Sequence, residues 1–232
     1  MFGQNEPSQP AFDVASIRPT PRDRIGYYGD FECKNGRFVS QAFPVSFVIT
    51  WSYGINAGRI LGLPDWADDY QYGYDIEAKS AVPVSSERCR LMGQALLADR
   101  FSMRHHTEVR MTAAYTLLLV DGGKKLAKAA ETAKRTTIQG QTVDLPDEPG
   151  LTMSRLVSIL DAHPAVGRPV VDKTGLTDRY VFHLNFATRE GEDDNRPSVF
   201  HAVKDQLGLE LRSANLPVEF LVVDHIEKAS EN

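Results

Sequence analysis

The sequence predicts an α+β protein that contains two tandem copies of one αββαββ unit. Apolar helical stretches and strand stretches follow one another in the same order over residues 45–120 and over residues 153–224. Matching points lie roughly 104–109 residues apart, which indicates duplication of a whole unit rather than a short-period solenoid. Because a helix flanked by strand pairs cannot cover its own apolar stripe, we expect the helices to pack on antiparallel or mixed sheet.

This repeat divides the chain into three predicted segments. Residues 1–120 hold an N-terminal strand and the first copy, and residues 151–232 hold the second copy. The intervening residues 121–150 are polar, rich in lysine at first and then in proline and glycine. We interpret them as a connection between the two copies.

The elements of the first copy follow from its apolar spacing. An N-terminal strand is predicted over residues 12–17, where apolar and polar residues alternate, and Pro19 ends it. Pro44 suits the first turn of a helix that Gly54 ends, and Ser85 is in position to cap the second helix. The predicted order is helix, two strands, helix and two strands, at residues 45–53, 58–60, 74–78, 86–99, 101–106 and 114–120.

The second copy repeats this order with similar signals. Met153, Leu156 and Leu160 have helical spacing, and Gly208 follows the apolar stripe of the last helix. The predicted elements lie at residues 153–160, 167–171, 180–186, 199–207, 209–211 and 218–223.

Charge and hydropathy exclude two classes of protein. The formal net charge is −5 and the sequence pI is about 5.7, whereas a general nucleic-acid binder usually shows a basic stripe. The dense basic stretch at residues 124–135 falls in the polar connection and is typical of a solvated loop. Since no run of about 18 apolar residues occurs, we expect no membrane span.

Two features bear on the cellular compartment. Cys33 and Cys89 are the only cysteines, and they form either one disulfide in an oxidising compartment or two separate buried thiols. The first residues lack the basic start and the apolar middle of a signal peptide. A polar, proline-containing lead directly before a strand is common in mature secreted proteins. We therefore expect a periplasmic or extracellular protein whose signal peptide has been removed.

Short catalytic motifs are absent from the sequence. It has no Gly-x-Ser-x-Gly elbow of an α/β-hydrolase. It also lacks a Walker loop, a Gly-x-Gly-x-x-Gly fingerprint and a His-Glu-x-x-His zinc helix. We therefore predict no cofactor-binding residues for a nucleotide. An active site assembled from distant segments leaves no such local signature, so an enzyme stays open.

The candidate catalytic residues are two carboxylates and two histidines. Asp75 and Glu77 lie on the polar face of one predicted strand, and His183 falls at a similar place in the second copy. Pseudo-twofold packing of the copies would bring these three together, and the alternative is a solvated outer sheet face. His106 shares a strand face with Glu108 and is a candidate general base or metal ligand. The alternative for His106 is a strand-end histidine in solvent.

Two acidic loops are candidate sites for a hard cation. Calcium takes six to eight oxygen ligands, which flexible acidic loops supply, but neither loop has EF-hand spacing, and plain solvated loops are the alternative. Beside the first loop, Tyr70, Tyr72 and Tyr74 either line a groove for a small ligand or simply pack. The candidate calcium ligands are Asp65, Asp68 and Asp69 in the first loop and Glu190, Glu192, Asp193 and Asp194 in the second.

Several short segments spread over nearly the whole chain are distinctive as a set. They include Asp-Val-Ala-Ser-Ile-Arg-Pro at residues 13–19 and Gly-Arg-Pro-Val-Val-Asp-Lys-Thr-Gly-Leu-Thr at residues 167–177. The others lie at residues 36–38, 64–66, 74–79, 96–101 and 217–228. Together they resemble an uncharacterised family abundant in Acidobacteria, especially Solibacter-like soil species, and catalogued as a domain of unknown function.

The resemblance implies an exported protein of unknown role and defines no catalytic residue. The chain departs from the family pattern at Asp178, where glycine is usual, and at its His-rich residues 104–106. The helix-strand-strand pattern after residue 151 is also similar to the short N-terminal domain of secretins and TonB-dependent receptors.

Two functions remain open at this stage. The first is a noncatalytic exported module that binds a small molecule or a protein partner, which the duplicated unit, the resemblance and the missing motifs favour. The second is a metal-dependent hydrolase of small esters or lactones, in which a calcium-type cation polarises the carbonyl. The acidic loops together with His105, His106 and His183 favour that second function. The sequence specifies no oligomeric state, and a regulatory sensor domain would depend on a partner that it does not identify.

Overall fold

The structure is a computed structural model that describes residues 10–24, 26, 28–120, 125–132, 135–138, 141–144, 149–187 and 195–229. These residues form the predicted α+β fold. The helices are α1 (Val45–Tyr53), α2 (Asp65–Asp68), α3 (Ser86–Arg100), α4 (Met153–Ala162) and α5 (Val199–Leu207). Within these ranges no helix has the length and apolar character needed to cross a membrane.

The strands range from two residues to seventeen. In the first half they are β1 (Val14–Pro19), β2 (Phe31–Lys34), β3 (Arg37–Pro44), β4 (Ile60–Leu61), β5 (Gly73–Lys79) and β6 (Arg104–Leu119). In the second half they are β7 (Ala127–Lys128), β8 (Arg135–Ile138), β9 (Gln141–Asp144), β10 (Leu151–Thr152), β11 (Val170–Asp172), β12 (Arg179–Val181), β13 (His183–Leu184) and β14 (Leu209–His225).

The chain forms two compact units, and the first comprises residues 1–108 together with residues 220–232. Its main sheet is antiparallel, with the strand order β1-β5-β3-β2. Helices α1 and α3 pack against each other, and their apolar side chains join those of the sheet in one core. That core includes Ile17, Phe38, Ile49, Ile76 and Leu97.

A disulfide between Cys33 and Cys89 fastens the edge strand β2 to helix α3 in the first unit. The sequence left open whether these cysteines are bonded or separate, and the structure has them bonded. Gly93 lies where α3 meets α1, and a Cβ atom at this position would collide with Ser52. The close approach of the two helices therefore requires glycine.

The second unit comprises residues 109–219 and has its own core. Two three-stranded sheets lie in it, with the orders β10-β12-β7 and β13-β8-β9. Helices α4 and α5 supply the amphipathic faces that cover the core, through residues such as Leu156 and Val203. Phe182 and Phe186 are fully buried in the same cluster.

The two long strands β6 and β14 each run from one unit into the other. They belong to a sheet with the order β11-β6-β14-β4. In the first unit β14 pairs in parallel with β4, and Leu221 lies opposite Ile60. In the second unit β6 pairs in parallel with β11, and Tyr115 lies opposite Val170.

The helix ends agree with the sequence prediction. Gly54 ends α1 and Gly208 ends α5, each in the left-handed conformation, which glycine adopts without the steric cost of a Cβ atom. The Ser85 hydroxyl accepts a hydrogen bond from the Arg88 backbone N–H and caps α3 as predicted.

The predicted strand divisions differ from the structure at two places. Each copy was expected to end in two strands, but β6 and β14 are each continuous. The residues between the two predicted strands, 107–113, are themselves part of β6. Apolar and polar residues alternate there through Val109 and Met111, as is typical of a strand. In β14, Pro217 lies inside the strand although it cannot donate a backbone hydrogen bond.

The two halves share some elements in the same order and differ in others. The order α1, β4, α3 and β6 in the first half matches α4, β11, α5 and β14 in the second. However, helix α2 lies between β4 and β5 in the first half, whereas two strands, β12 and β13, lie between β11 and α5 in the second. Duplication and the three predicted segments stay predictions. The described part of the predicted connection, residues 121–150, contains β7, β8 and β9.

Candidate functional site

A cavity of about 340 Å³ opens in the first unit. The start of α1, the stretch through β4 and the short helix α2 form its walls. Its volume lies at the lower end of the range for sites that hold small organic ligands. The lining is mostly apolar and consists of Ser46, Ala57, Ile60, Leu61, Gly62, Leu63, Pro64, Asp65 and Asp68.

Local sequence explains how the cavity wall is held in place. Gly62 has a φ of 76°, and a Cβ atom there would lie 2.5 Å from the Val223 carbonyl oxygen of β14. Glycine therefore allows the segment after β4 to lie close against β14. Pro64 then precedes the first turn of α2 in an extended conformation, which orients Asp65 and Asp68.

Ser46 is the polar residue in the α1 wall of the cavity. It is the second residue of α1 and is 2% exposed. Its hydroxyl has no hydrogen-bond partner among the residues that the structure describes. This oxygen is itself enclosed by protein, so it lies behind the cavity wall and does not face the cavity.

Two of the three predicted calcium ligands in the first acidic segment line this cavity. Asp65 and Asp68 are exposed residues of its lining, on the one-turn helix α2 rather than on the predicted loop. Asp69 is not among the lining residues, and its carboxylate instead accepts a hydrogen bond from the Gln71 backbone N–H at 2.8 Å. Asp69 therefore does not join Asp65 and Asp68 in the cavity lining.

The predicted second acidic loop, with Glu190, Glu192, Asp193 and Asp194, lies outside the described residues. Within the described ranges, no three His, Cys, Asp or Glu side chains lie together as ligands for a metal ion. Calcium binding therefore stays a prediction.

Asp75, a candidate catalytic residue, lies at a bulge between β3 and β5. Its carboxylate accepts hydrogen bonds from the Ala42 backbone N–H at 3.0 Å and from Arg24 at 3.0 Å. The Thr20 hydroxyl lies at 3.4 Å from the same carboxylate. Ala42 has a φ of 66°, which is unfavourable for a residue with a Cβ atom. Asp75 therefore stabilises the bulge.

Glu77 lies two residues further along β5 and pairs with two basic side chains. Arg37 donates to its carboxylate at 3.0 Å, and Lys79 lies at 3.3 Å. The hydrogen bond from Arg37 and then that from Lys79 lower the pKa of Glu77. Glu77 is thus held as a carboxylate on an exposed sheet face. A solvated outer sheet face was the alternative to a catalytic cluster.

The candidate histidines lie on other strands. His106 of β6 contacts the Asp224 carboxylate at 2.9 Å on the surface of the first unit. Its neighbour His105 contacts the Tyr53 hydroxyl at 3.2 Å, and burial lowers the pKa of His105. His183 is exposed on β13 and belongs to the second unit, whereas Asp75 and Glu77 belong to the first. Within the first unit, Asp75, Glu77 and His106 each contact the partners named above and not one another.

Next to the cavity-lining residues in sequence lies an aromatic surface formed by Tyr28, Phe43, Phe47 and Tyr70. Each ring contacts the next in a closed circuit, with ring centroids 5.0–5.9 Å apart. Tyr28 and Tyr70 are roughly half exposed. Aromatic rings that are exposed as a group often mark interaction sites, so this surface could contact a ligand or a partner.

Ser46 was missed by the sequence analysis. The signal was present, since Ser46 is a small polar residue between Val45, Phe47 and Val48 in the first turn of an apolar helix. Helical spacing alone could not distinguish a hydroxyl at a cavity from one that bonds to its own helix.

Comparison with known proteins places the chain in a family. No curated protein and no solved structure matches it. Residues 46–226 match the model of a family described as protein of unknown function (DUF3738). The matched range contains all the cavity-lining residues and most of both units. Since the match covers well over half of the sequence, the chain belongs to the DUF3738 family.

Proposed function

We propose that this chain is an exported binding module that holds a small molecule in the cavity lined by α1, β4 and α2. The cavity carries the proposal, because its volume of about 340 Å³ and its mainly apolar lining are those of a small-molecule site.

The composition of the wall supports a small organic ligand. Apolar residues make up most of the lining, and the polar side chains other than Ser46 are Asp65 and Asp68. A mainly apolar cavity with a few polar groups that fix the ligand's orientation is the usual design of small-molecule sites.

Export to the periplasm or the extracellular space is part of the proposal. The Cys33–Cys89 disulfide supports it, because disulfides persist in oxidising compartments and are rare in the cytosol. The resemblance to exported proteins of Acidobacteria points the same way.

A metal-dependent hydrolase of small esters or lactones was the other function drawn from the sequence. No contact among the described residues favours it specifically, since Asp75 stabilises a bulge and Glu77 pairs with Arg37. Turnover of esters and lactones, measured with and without a chelator, is therefore included as a control assay.

The direct test is a screen of a fragment library by ligand-observed NMR, followed by affinity measurements on variants. Fragments that bind the wild type should bind Ala57→Trp much more weakly, because Ala57 lines the cavity and an indole ring there would occupy part of its volume. Ala57 is exposed, so the larger side chain should leave the fold intact.

Ala127→Trp is the matched control, because Ala127 is an exposed alanine of β7 that does not line the cavity. This variant should keep the wild-type affinity. Equal affinity for the wild type and Ala57→Trp, or a library without binders, would contradict the proposal.

A further inference from the structure

We propose that strand β6 is a dimer interface, at which one edge of the strand pairs antiparallel with the same edge of a second copy of the chain. Three features of β6 support this pairing: the backbone groups along the edge, two exposed apolar side chains, and the charges that flank them. No residue of β6 lines the ligand cavity, so dimerisation and ligand binding are separate properties.

One edge of β6 is paired over only part of its length. The sheet order places β14 on one side of β6 and β11 on the other. The pairing with β11 covers residues Tyr115–Leu117, whereas β6 begins at Arg104. Among the residues that the structure describes, no strand therefore pairs with this edge over residues 104–114.

Backbone hydrogen bonds show which groups face this open edge. The Tyr115 N–H donates to the Pro169 carbonyl at 2.8 Å, next to β11. The Leu117 carbonyl accepts from the Lys173 N–H at 3.0 Å. Because successive residues of a strand direct their backbone groups to alternate sides, the odd-numbered residues of β6 face the edge. The N–H and the C=O of Val109 are therefore directed towards a partner strand.

The open edge also lacks the features that commonly protect edge strands from pairing. Short length, proline and charged side chains serve this purpose in natural sheets. The edge strand β2 has four residues, and the edge strand β1 ends at Pro19. Strand β6 has sixteen residues without proline or glycine, and it exposes Val109 by 63% and Met111 by 62%. A partner strand would remove part of this apolar surface from water.

The charges beside Val109 select one register. Glu108 and Arg110 flank Val109 and lie on the opposite face of β6. When Val109 lies opposite Val109 of the second copy, Glu108 of each copy lies opposite Arg110 of the other. Opposite charges directly across two strands stabilise the pair. Arg110 also interacts within its own chain, and the several N–H donors of a guanidinium allow a second carboxylate partner.

The same register satisfies the backbone. Val109 of one copy exchanges two N–H···O bonds with Val109 of the other, because both residues direct these groups to the edge. A twofold axis through this pair makes the interface closed, so assembly stops at two copies. A second copy of the chain therefore fits the edge in backbone, apolar surface and charge.

Sedimentation equilibrium of the full chain over a concentration series tests the proposal. The wild type should approach twice the mass of one chain, which is 25.8 kDa. Val109→Lys should weaken dimerisation roughly tenfold or more, because two ammonium groups would meet at the twofold axis. Val14→Lys is the matched control, since Val14 is an equally exposed valine on β1. It should dimerise as the wild type does.

Charge reversal tests the register. Glu108→Arg and Arg110→Glu should each weaken the dimer, because each places like charges opposite one another. The double variant, with both substitutions in one chain, should recover the wild-type dimer. An equimolar mixture of the two single variants should form a mixed dimer, because opposite charges then face each other again. Circular dichroism and urea midpoints check that every variant is folded.

Several results would overturn the proposal. A wild type that remains monomeric throughout the series would do so, as would assemblies that grow beyond the dimer. Dimerisation of Val109→Lys as tight as that of the wild type would show that the interface lies elsewhere. A double variant that stays as weak as the single variants would show that the register is wrong.

Discussion

The two units of the molecule treat buried hydroxyl groups differently. In the second unit, the fully buried Thr136 hydroxyl donates to the Phe182 carbonyl at 2.6 Å and accepts from the Phe182 N–H at 2.9 Å. In the first unit, the buried Thr20 hydroxyl donates to Asp75 at 3.4 Å, but the buried hydroxyls of Ser40, Ser46 and Ser52 lack partners among the described residues. The second unit thus uses its buried hydroxyl to hold its fold.

The first unit also differs from the second in other features. It holds the cavity, the disulfide and the half-exposed tyrosines. We therefore propose that the first unit binds the ligand, and we expect the second unit to act as structural support.

The largest expected effect comes from removing the disulfide of the first unit. Cys33→Ser combined with Cys89→Ser should lower the free energy of unfolding by about 2–4 kcal/mol, because the bond closes a long loop. The measurement is urea denaturation of the double variant and of the wild type with and without reductant. A loss under ~0.5 kcal/mol would show that the bond contributes little to the first unit.

The next effect compares the buried hydroxyls of the two units directly. Thr136→Val should cost about 1–3 kcal/mol, because it leaves the buried Phe182 N–H without an acceptor. Ser40→Ala in the first unit should be neutral or slightly stabilising, since its hydroxyl has no partner to lose. Urea midpoints of both variants check this contrast, and equal losses would remove the difference between the units.

Much of the fold was predictable from the sequence because its signals are local. The turn residues Gly54 and Gly208 and the cap at Ser85 set helix ends by their own backbone preferences. The continuity of β14 through Pro217 was not predictable. A strand can continue through a proline only where no neighbouring strand requires a hydrogen bond from that residue's backbone nitrogen. Strand pairing joins residues far apart in sequence, and no local pattern records it.

The candidate site was only partly predictable for the same reason. Asp65 and Asp68 stood out as an acidic pair, and the structure places both at the cavity. The role of Asp75 depends on Ala42, Thr20 and Arg24, which are brought together by the sheet and by the preceding segment. A sequence pattern identifies the carboxylate but not the partners that decide its role.

A smaller effect separates a structural Asp75 from a catalytic one. Asp75→Ala should cost about 1–2 kcal/mol, because the buried Ala42 N–H loses its acceptor at the bulge. Fragments that bind the wild type should bind this variant with the same affinity, because Asp75 does not line the cavity. Denaturation and fragment titration of the same sample test both statements, and unchanged stability with altered binding would reverse the assignment.

The smallest expected effect concerns pH and involves one histidine in each unit. Burial lowers the pKa of His105 in the first unit and of His163 in the second below the ordinary value of 6.5. Since the folded pKa is the lower one, protons bind the unfolded chain more tightly. Stability is therefore full above pH 6.5 and is lost as the pH falls through the folded pKa. His105→Gln and His163→Gln should each flatten this fall in urea midpoints between pH 7.5 and 5.

The central claim, that the first unit holds the ligand, is tested most directly by a map of backbone amide shifts during titration with a fragment that binds the wild type. The account predicts saturable shifts concentrated at Ser46 and at residues 57–68, and none of comparable size in the second unit. Shifts concentrated within residues 109–219 would contradict it, as would the absence of any saturable shift.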